Sequence, residues 1–550
     1  MDRRLFLQLL GVGSVSASLS GCASFCSICT DNEVYIPTTQ LVVDAHAHIF
    51  NARDLPVSGF IQHVLIKEEP LWEVLLIIIG DVLHRIGAPS IESERSRLVI
   101  LNNVHKELKS IKAKWDIDDR ARRRRAITMI DSELERIDTL VKDSSIVGLG
   151  TITDKEKLFH AYVTSKVKRS KTKGSFGWFE ALAKEFIQVR IYVEFIYVML
   201  NYRYQNIDAL KQLYPEVDLF TPALIDFDHW LYPDLSNGAP DSVAKQMSIM
   251  PALVNYSKGQ VRPYVAYDPL RDVVANHKTG HDLYPTLAII KNAIKEQGAI
   301  GIKLYPPMGF RVYNNKELAD NQFCKLDKSI QNIGAKLDKA LSKLYQYCSE
   351  YDVPILAHTS RSVENTICTG RREGPYYERA NPAHWFEVLK LYPKLRVNLG
   401  HFAKHDYPGA HNAWSMTIRE LLLYKDAAST RSSFYADLSH LEKIDDANYR
   451  RKFIEALTVY LGKKGSTERK VLMSKLLYGS DWSMLGKELI NKEFLHCIAE
   501  MIEVVDDNEG RNQFIGSNAI HFLGLDDITQ GSGKRFVEDP RFKANWMRKL

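Results

Sequence analysis

Short runs of apolar residues recur along the second half of the chain, at Leu219–Phe227, Val261–Tyr267, Ile300–Tyr305, Val353–His358, Leu395–His401, Ser433–Leu438 and Lys475–Asp481. An earlier run, Leu41-Val42-Val43, leads into Asp44-Ala45-His46-Ala47-His48. Runs this short and this apolar predict strands buried on both faces. Between them the apolar positions change to helical spacing, as at Thr286–Gln297, Lys328–Glu350, Pro382–Leu391 and Asn491–Val505. Eight strands, spaced by roughly 40 residues and separated by crossover helices, predict an α/β fold of the parallel (β/α)8 TIM-barrel type. An open doubly wound sheet is the alternative, but no glycine-rich phosphate loop follows the first strand.

One interval breaks the rhythm. Residues 52–215 carry helical patterns only, which predicts a large helical insertion after the first strand, placed to cap the barrel mouth or to offer a partner surface. Leu71–Leu83 is apolar but contains Glu73 and Asp81, so it reads as a buried or amphipathic helix and not a membrane span. Further on, Phe179, Leu182, Phe186, Ile187, Ile191 and Phe195 fall near one stripe. The barrel itself is assigned to 41–51 and 216–526, with 527–550 as a C-terminal tail.

Composition adds little to this picture. The 550 residues are 45% hydrophobic and 25% charged with a net charge of +6, ordinary for a globular protein and too mild to favour nucleic acid. Arg122-Arg123-Arg124-Arg125 lies in a stretch of both signs and reads as a solvated helix face. The N-terminus says more. Arg3-Arg4 precede an apolar, small-residue stretch that ends in Leu19-Ser20-Gly21-Cys22, the layout of an export signal over 1–21 followed by a tether over 22–40. Leu19–Cys22 resembles the bacterial lipobox, which implies a lipidated Cys22, and Arg3-Arg4-Leu5-Phe6-Leu7 resembles the twin-arginine export pattern. A membrane-anchored lipoprotein on the periplasmic side of a bacterial envelope is expected, and Ala23 is unlike an inner-membrane retention signal. The remaining cysteines, Cys26, Cys29, Cys324, Cys348, Cys368 and Cys497, are scattered and form no metal-knuckle spacing.

The chemistry gathers at the strand ends. His46 and His48 are two apart on a strand, so both imidazoles leave the same face and can grip one metal. His358, His401 and Asp481 each finish another strand. In a TIM barrel these ends converge on one rim, so residues hundreds of positions apart become neighbours. Asp437 ends the seventh run, and Asp226 and Asp228 end the second; they are expected to hold loops or orient imidazoles. Trp482 is expected to pack behind Asp481, while His384, His405 and His411 receive no role.

Asp44-Ala45-His46-Ala47-His48, Gly301-Ile302-Lys303-Leu304-Tyr305-Pro306, Ala357-His358-Thr359, Gly400-His401, Gly479-Ser480-Asp481-Trp482 and the closing Gly516–Ala519 and Phe522–Leu525 segments resemble the amidohydrolase superfamily. The nearest branch is the amidohydrolase-related one that includes aminocarboxymuconate-semialdehyde decarboxylase-like enzymes. That resemblance implies His46, His48, His358 and Asp481 as metal ligands and His401 as an acid/base group beside the metal. Such N/O ligands suit one Zn²⁺ per chain, and a zinc ion lowers the pKa of a coordinated water from 15.7 towards about 7. Asp481 would then take the water proton, and His401 would stabilise charge on the substrate oxygen. Lys303 stays open between three roles: carboxylation to bridge two metals, an ammonium for a substrate carboxylate, or pairing with Asp44 or another acid. Tyr305 and Arg311, just past that strand, are candidate substrate contacts or parts of a proline-stiffened loop.

Hydrolysis of an amide, lactam, lactone or ester in a small-molecule substrate is the leading reading. A non-oxidative decarboxylase of an unsaturated or aromatic acid is the second, and an inactive substrate-binding lipoprotein the third. Oligomeric state is not legible.

Overall fold

The computed structural model describes residues 36, 38–55, 88–103, 110–122, 125, 198–231, 242–323, 329–360, 378–403, 413–425, 433–441, 443–444, 446–482, 493–541 and 549. The export signal, Cys22, Cys26, Cys29, Leu71–Leu83, the Phe179–Phe195 stripe, His405 and His411 lie outside them. Among the described residues no helix is long and apolar enough to cross a membrane.

Eight parallel strands stand where the apolar runs place them: β1 (Val43–Ala47), β2 (Leu219–Pro222), β3 (Tyr264–Ala266), β4 (Gly301–Leu304), β5 (Ile355–His358), β6 (Val397–Gly400), β7 (Phe434–Asp437) and β8 (Leu476–Leu477). β2 to β8 are each shorter than their apolar runs. Strands β3 to β8 pair in chain order, β1 pairs with β2, and the bridges Phe220–Val261 and Ala223–Tyr264 join β2 to β3. The N–H of Ala45 donates to the Tyr478 carbonyl at 3.0 Å and that of Asp481 to the His46 carbonyl at 2.6 Å, so the exit of β8 returns to β1. This is the (β/α)8 arrangement.

The helices follow from amphipathic patterning and local caps. In the helix Pro269–Thr279, Asp268 caps the first turn by accepting from the Leu270 N–H, Pro269 opens the helix, and Gly280 ends it at φ 68°. In the helix Pro285–Glu296 the buried positions are Thr286, Leu287, Ile290, Ala293 and Ile294, one face at helical spacing. Within the insertion, helix α1 (Ile91–Asn103), a helical stretch over 110–122, and α2 (Arg203–Leu213) are described.

The C-terminal segment closes one end of the barrel. Its contacts go to residues that precede strands: Gln40 Nε2 donates to the Asn512 carbonyl, Lys549 pairs with Asp218, Arg262 with Asp539, Asp352 accepts from the Ser532 N–H, and Arg396 donates to the Phe522 carbonyl. A buried cluster joins Leu219, Tyr264, Leu356, Tyr435 and Leu477 to Ile520, Phe522, Leu523 and Phe536. Residues Gly531–Glu538 therefore form a packed helix inside the stretch expected as a tail. With the N-terminal end covered by these described residues, the C-terminal rim is left to carry a site, which is where TIM barrels place catalysis. Cys497 is buried and disulfide-bonded, whereas Cys348 is free, so the partner of Cys497 lies outside the described residues.

Candidate metal centre

β1 delivers His46 fully buried and His48 almost so. The Nδ1 of His48 lies 2.9 Å from the Ala223 carbonyl, which can only accept, so Nδ1 carries the proton and Nε2 keeps its lone pair. His46 is fixed the same way. Its Nδ1 lies 3.1 Å from Asp437 Oδ2, which again leaves Nε2 as an electron-pair donor. The carboxylate of Asp481 meets both rings from β8, with Oδ1 at 3.2 Å from His48 Nε2 and 3.7 Å from His46 Nε2. Ligand atoms of His46, His48 and Asp481 all lie within 4.8 Å of one another. Two imidazole nitrogens and a carboxylate oxygen this close together are the donor types that hold a divalent ion, so the set fits one.

A second triad, His46, His401 and Asp437, lies equally close together, but hydrogen bonds already occupy it. Asp437 accepts from His46 Nδ1, Asn398 Nδ2 at 2.8 Å, the His401 N–H at 3.0 Å and Ser439 Oγ at 2.5 Å. Burial alone would raise the Asp437 pKa, but His46, His401 and Ser439 outweigh it and hold the carboxyl well below its usual range. The Ser439 hydroxyl, having donated, accepts from His401 Nδ1 at 2.9 Å. His401 Nε2 is then the acceptor for His358 Nδ1 at 3.1 Å, and His358 Nε2 accepts from Ser360 Oγ at 2.8 Å. The structure thus brings His46, His48 and Asp481 into ligand distance of one another. It places His358 and His401 beside them as a hydrogen-bonded pair, with both His358 nitrogens engaged. Burial, with His401 and Lys303 close by, keeps His358 neutral.

Lys303 is buried, and its Nζ lies 2.9 Å from His46 Nε2, the nitrogen that faces Asp481. Burial lowers its pKa to about 8 against the opposing pull of Asp481 and Asp437. Asp44 is not its partner, since Asp44 accepts from the Ser480 N–H at 3.0 Å and Ser480 Oγ at 2.6 Å, clamping the exit of β8 against β1. Gly479 is required there: a Cβ would come within 2.7 Å of the His46 Cβ. Trp482 is buried next to Asp481, its carbonyl accepting from the His48 N–H.

Tyr305 forms one wall, its ring 4.3 Å from that of His358 and 4.8 Å from that of Phe227. Arg311 pairs instead with Glu317 at 3.5 Å, and its charge helps to depress the pKa of half-buried His384 after burial has done most of that work. Asp226 and Asp228 both grip Arg271 at 2.5 Å. Asp268 accepts from Trp230 Nε1 at 2.9 Å, and that indole stacks on Phe310. These are loop-holding contacts.

Ser360, Ser439 and His440 were not foreseen. His440 Nδ1 lies 2.8 Å from Asp481 Oδ2. A signal did exist in the structure's backbone but not in the letters: His401, His440 and Asp481 adopt φ of 65°, 55° and 54°, a region that non-glycine residues occupy at a cost.

Among known proteins, the family model described as amidohydrolase matches residues 274–525. No curated protein gives a significant match. Solved structures that resemble the chain include 2,6-dihydroxybenzoate decarboxylase from Rhizobium, at 14% identity over 65% of this chain and 95% of that one with a TM-score of 0.37. Another is a probable 2-pyrone-4,6-dicarboxylic acid hydrolase from Acinetobacter baumannii, at 11% identity over 58% and 88% with a TM-score of 0.34. A third is an amidohydrolase from Burkholderia multivorans with bound zinc, at 12% identity over 58% and 87% with a TM-score of 0.35.

Proposed function

We propose that this chain, which matches the amidohydrolase model over 274–525, is a metal-dependent enzyme that cleaves a C–N or C–O bond of a small molecule at the C-terminal mouth of its barrel. One observation carries the reading: His46 Nε2, His48 Nε2 and Asp481 Oδ1 lie together, each imidazole with its ring proton on Nδ1, and the Lys303 ammonium stands 2.9 Å from His46 Nε2. A divalent ion held there, Zn²⁺ by the nature of the donors, would supply Lewis acidity and acidify water.

The rest falls to the chain itself. Asp437 and the Ala223 carbonyl fix the two imidazoles in the tautomer that can donate electron pairs. Asp481 offers a carboxylate held well below its usual pKa, because His401 and His440 outweigh the effect of burial; it stays ionised and able to orient an attacking water. The hydrogen-bonded His358–His401 pair lies beside the same point, kept neutral by burial, and lines the centre next to His46. Tyr305 and Phe227 supply an apolar wall.

A second reading draws on Lys303. A buried ammonium next to the donor triad can hold a substrate carboxylate, the grip that decarboxylase chemistry needs. Turnover in H₂¹⁸O separates the two readings. Hydrolysis puts the label into the product, whereas release of CO₂ with solvent hydrogen on carbon and no label would overturn hydrolysis.

Export and anchoring through Cys22 belong to the same proposal. The disulfide at Cys497 suits an oxidising compartment. Cys22→Ser is expected to move the protein from the membrane to the soluble fraction, and unchanged membrane association would contradict the anchor.

A further inference from the structure

We propose that His440 is a positioning residue that sets which oxygen of Asp481 faces the metal point; the inference rests on the metal-centre reading above. Asp481 reaches the site with a terminal bond still free to turn. Its Oδ1 is the oxygen that faces His48 and His46, at 3.2 and 3.7 Å. Its Oδ2 is held from the other side by His440 Nδ1 at 2.8 Å. A carboxylate can only accept, so Nδ1 is the donor, and the bond pins the carboxylate plane so that one oxygen is presented and the other withheld. Without that pin, rotation would let both oxygens approach the same point and use a coordination position that a water or substrate needs.

The backbone supports this assignment. His440 follows β7 at φ 55°, where glycine or asparagine is at ease and histidine is not, and it is 8% exposed, so its ring is largely withdrawn from water. Asp481 sits at φ 54° on the next strand exit. Two unfavourable backbone conformations on neighbouring loops bring these two side chains together. Ser439, one residue earlier, serves Asp437 and His401, so consecutive positions of one loop steady both sides of the centre.

The test compares His440→Gly with His440→Asn in full-length protein freed of metal, using Co²⁺ as the probe. Glycine removes the donor but suits the backbone; asparagine suits the backbone and places an N–H donor near the Nδ1 position. The glycine variant is expected to bind Co²⁺ about 10–100-fold more weakly, the usual effect of losing an outer-shell partner, and to show an altered visible d–d spectrum. Asparagine should restore both, and the melting temperatures of the metal-free variants should match that of wild type. Wild-type affinity and spectrum in His440→Gly would overturn the inference while leaving the metal centre intact, as would an asparagine variant no better than glycine. Wild-type protein that takes up no Co²⁺ would overturn the metal-centre reading and this inference with it.

Discussion

Asp481→Asn is expected to leave the protein folded but to reduce metal binding and turnover by more than about 100-fold, beyond what the loss of an outer-shell partner costs. Asparagine keeps the shape of the side chain and tolerates the φ of 54° at this position, so the backbone has no reason to move. What disappears is the negative charge. His46 and His48 would then face a neutral amide, and two neutral imidazoles alone hold a divalent ion poorly. Asp437→Asn provides the graded comparison. Its amide would present an N–H to His46 Nδ1, which is already a donor, so His46 would lose its tautomer and orientation. A loss of about 10–100-fold in metal affinity is expected there. Elemental analysis of the purified variants, beside turnover once a substrate is known, ranks the two. Equal metal content in wild type and Asp481→Asn would contradict the role given to the aspartate.

The largest effect on stability is expected from Arg203. Its guanidinium is fully buried, with Nε and Nη2 on Asp54 at 2.9 and 2.5 Å and Nη1 on Glu94 at 2.8 Å. Burial alone would lower the Arg203 pKa, but Asp54 and Glu94 outweigh it and raise it, so the arginine is held charged. Asp54 also accepts from the Asn51 N–H at 3.1 Å, and Glu94 from the Tyr204 N–H at 2.9 Å. The cluster therefore ties three pieces together: the chain leaving β1 just after His48, helix α1 of the insertion, and helix α2 that leads into β2. Arg203→Met would strand two buried carboxylates, at a cost of about 3–5 kcal/mol by comparison with other broken buried pairs. Denaturant unfolding would measure it. Replacing Asp54 and Glu94 by leucine and methionine alongside Arg203→Met should recover much of the loss, because removing the whole charged group also removes its desolvation cost. A single variant within about 0.5 kcal/mol of wild type would show that the cluster does not anchor the insertion.

Much of the barrel was legible because its signal is local. A parallel strand covered on both faces has to be almost wholly apolar, and a crossover helix has to keep one apolar face, so Gly301–Leu304 and Pro285–Glu296 announce themselves. Strand-end letters also carried the grouping of His46, His48 and Asp481, which lie together only if parallel strands end on a common rim. Other features depend on pairings that no local pattern encodes. Of the three roles left open for Lys303, pairing with Asp44 is not met: its ammonium faces His46 Nε2, while Ser480 takes both oxygens of Asp44. His358 was implied as a ligand by resemblance, and its nitrogens are engaged by His401 and Ser360. His440 went unnoticed because a left-handed backbone angle and the contact with Asp481 across to the next loop leave no mark on hydrophobic spacing. The packed helix Gly531–Glu538 was missed for a related reason: only Phe536 among its large apolar residues enters the core, and the rest of its attachment is polar.

The most direct measurement is anomalous diffraction from crystals of the protein soaked in Zn²⁺, recorded at the zinc edge. A single strong peak is expected at the C-terminal rim, about 2.0–2.2 Å from His46 Nε2, His48 Nε2 and Asp481 Oδ1. A peak lying elsewhere, or none at that rim under saturating zinc, would contradict the claim that these three side chains share one ion.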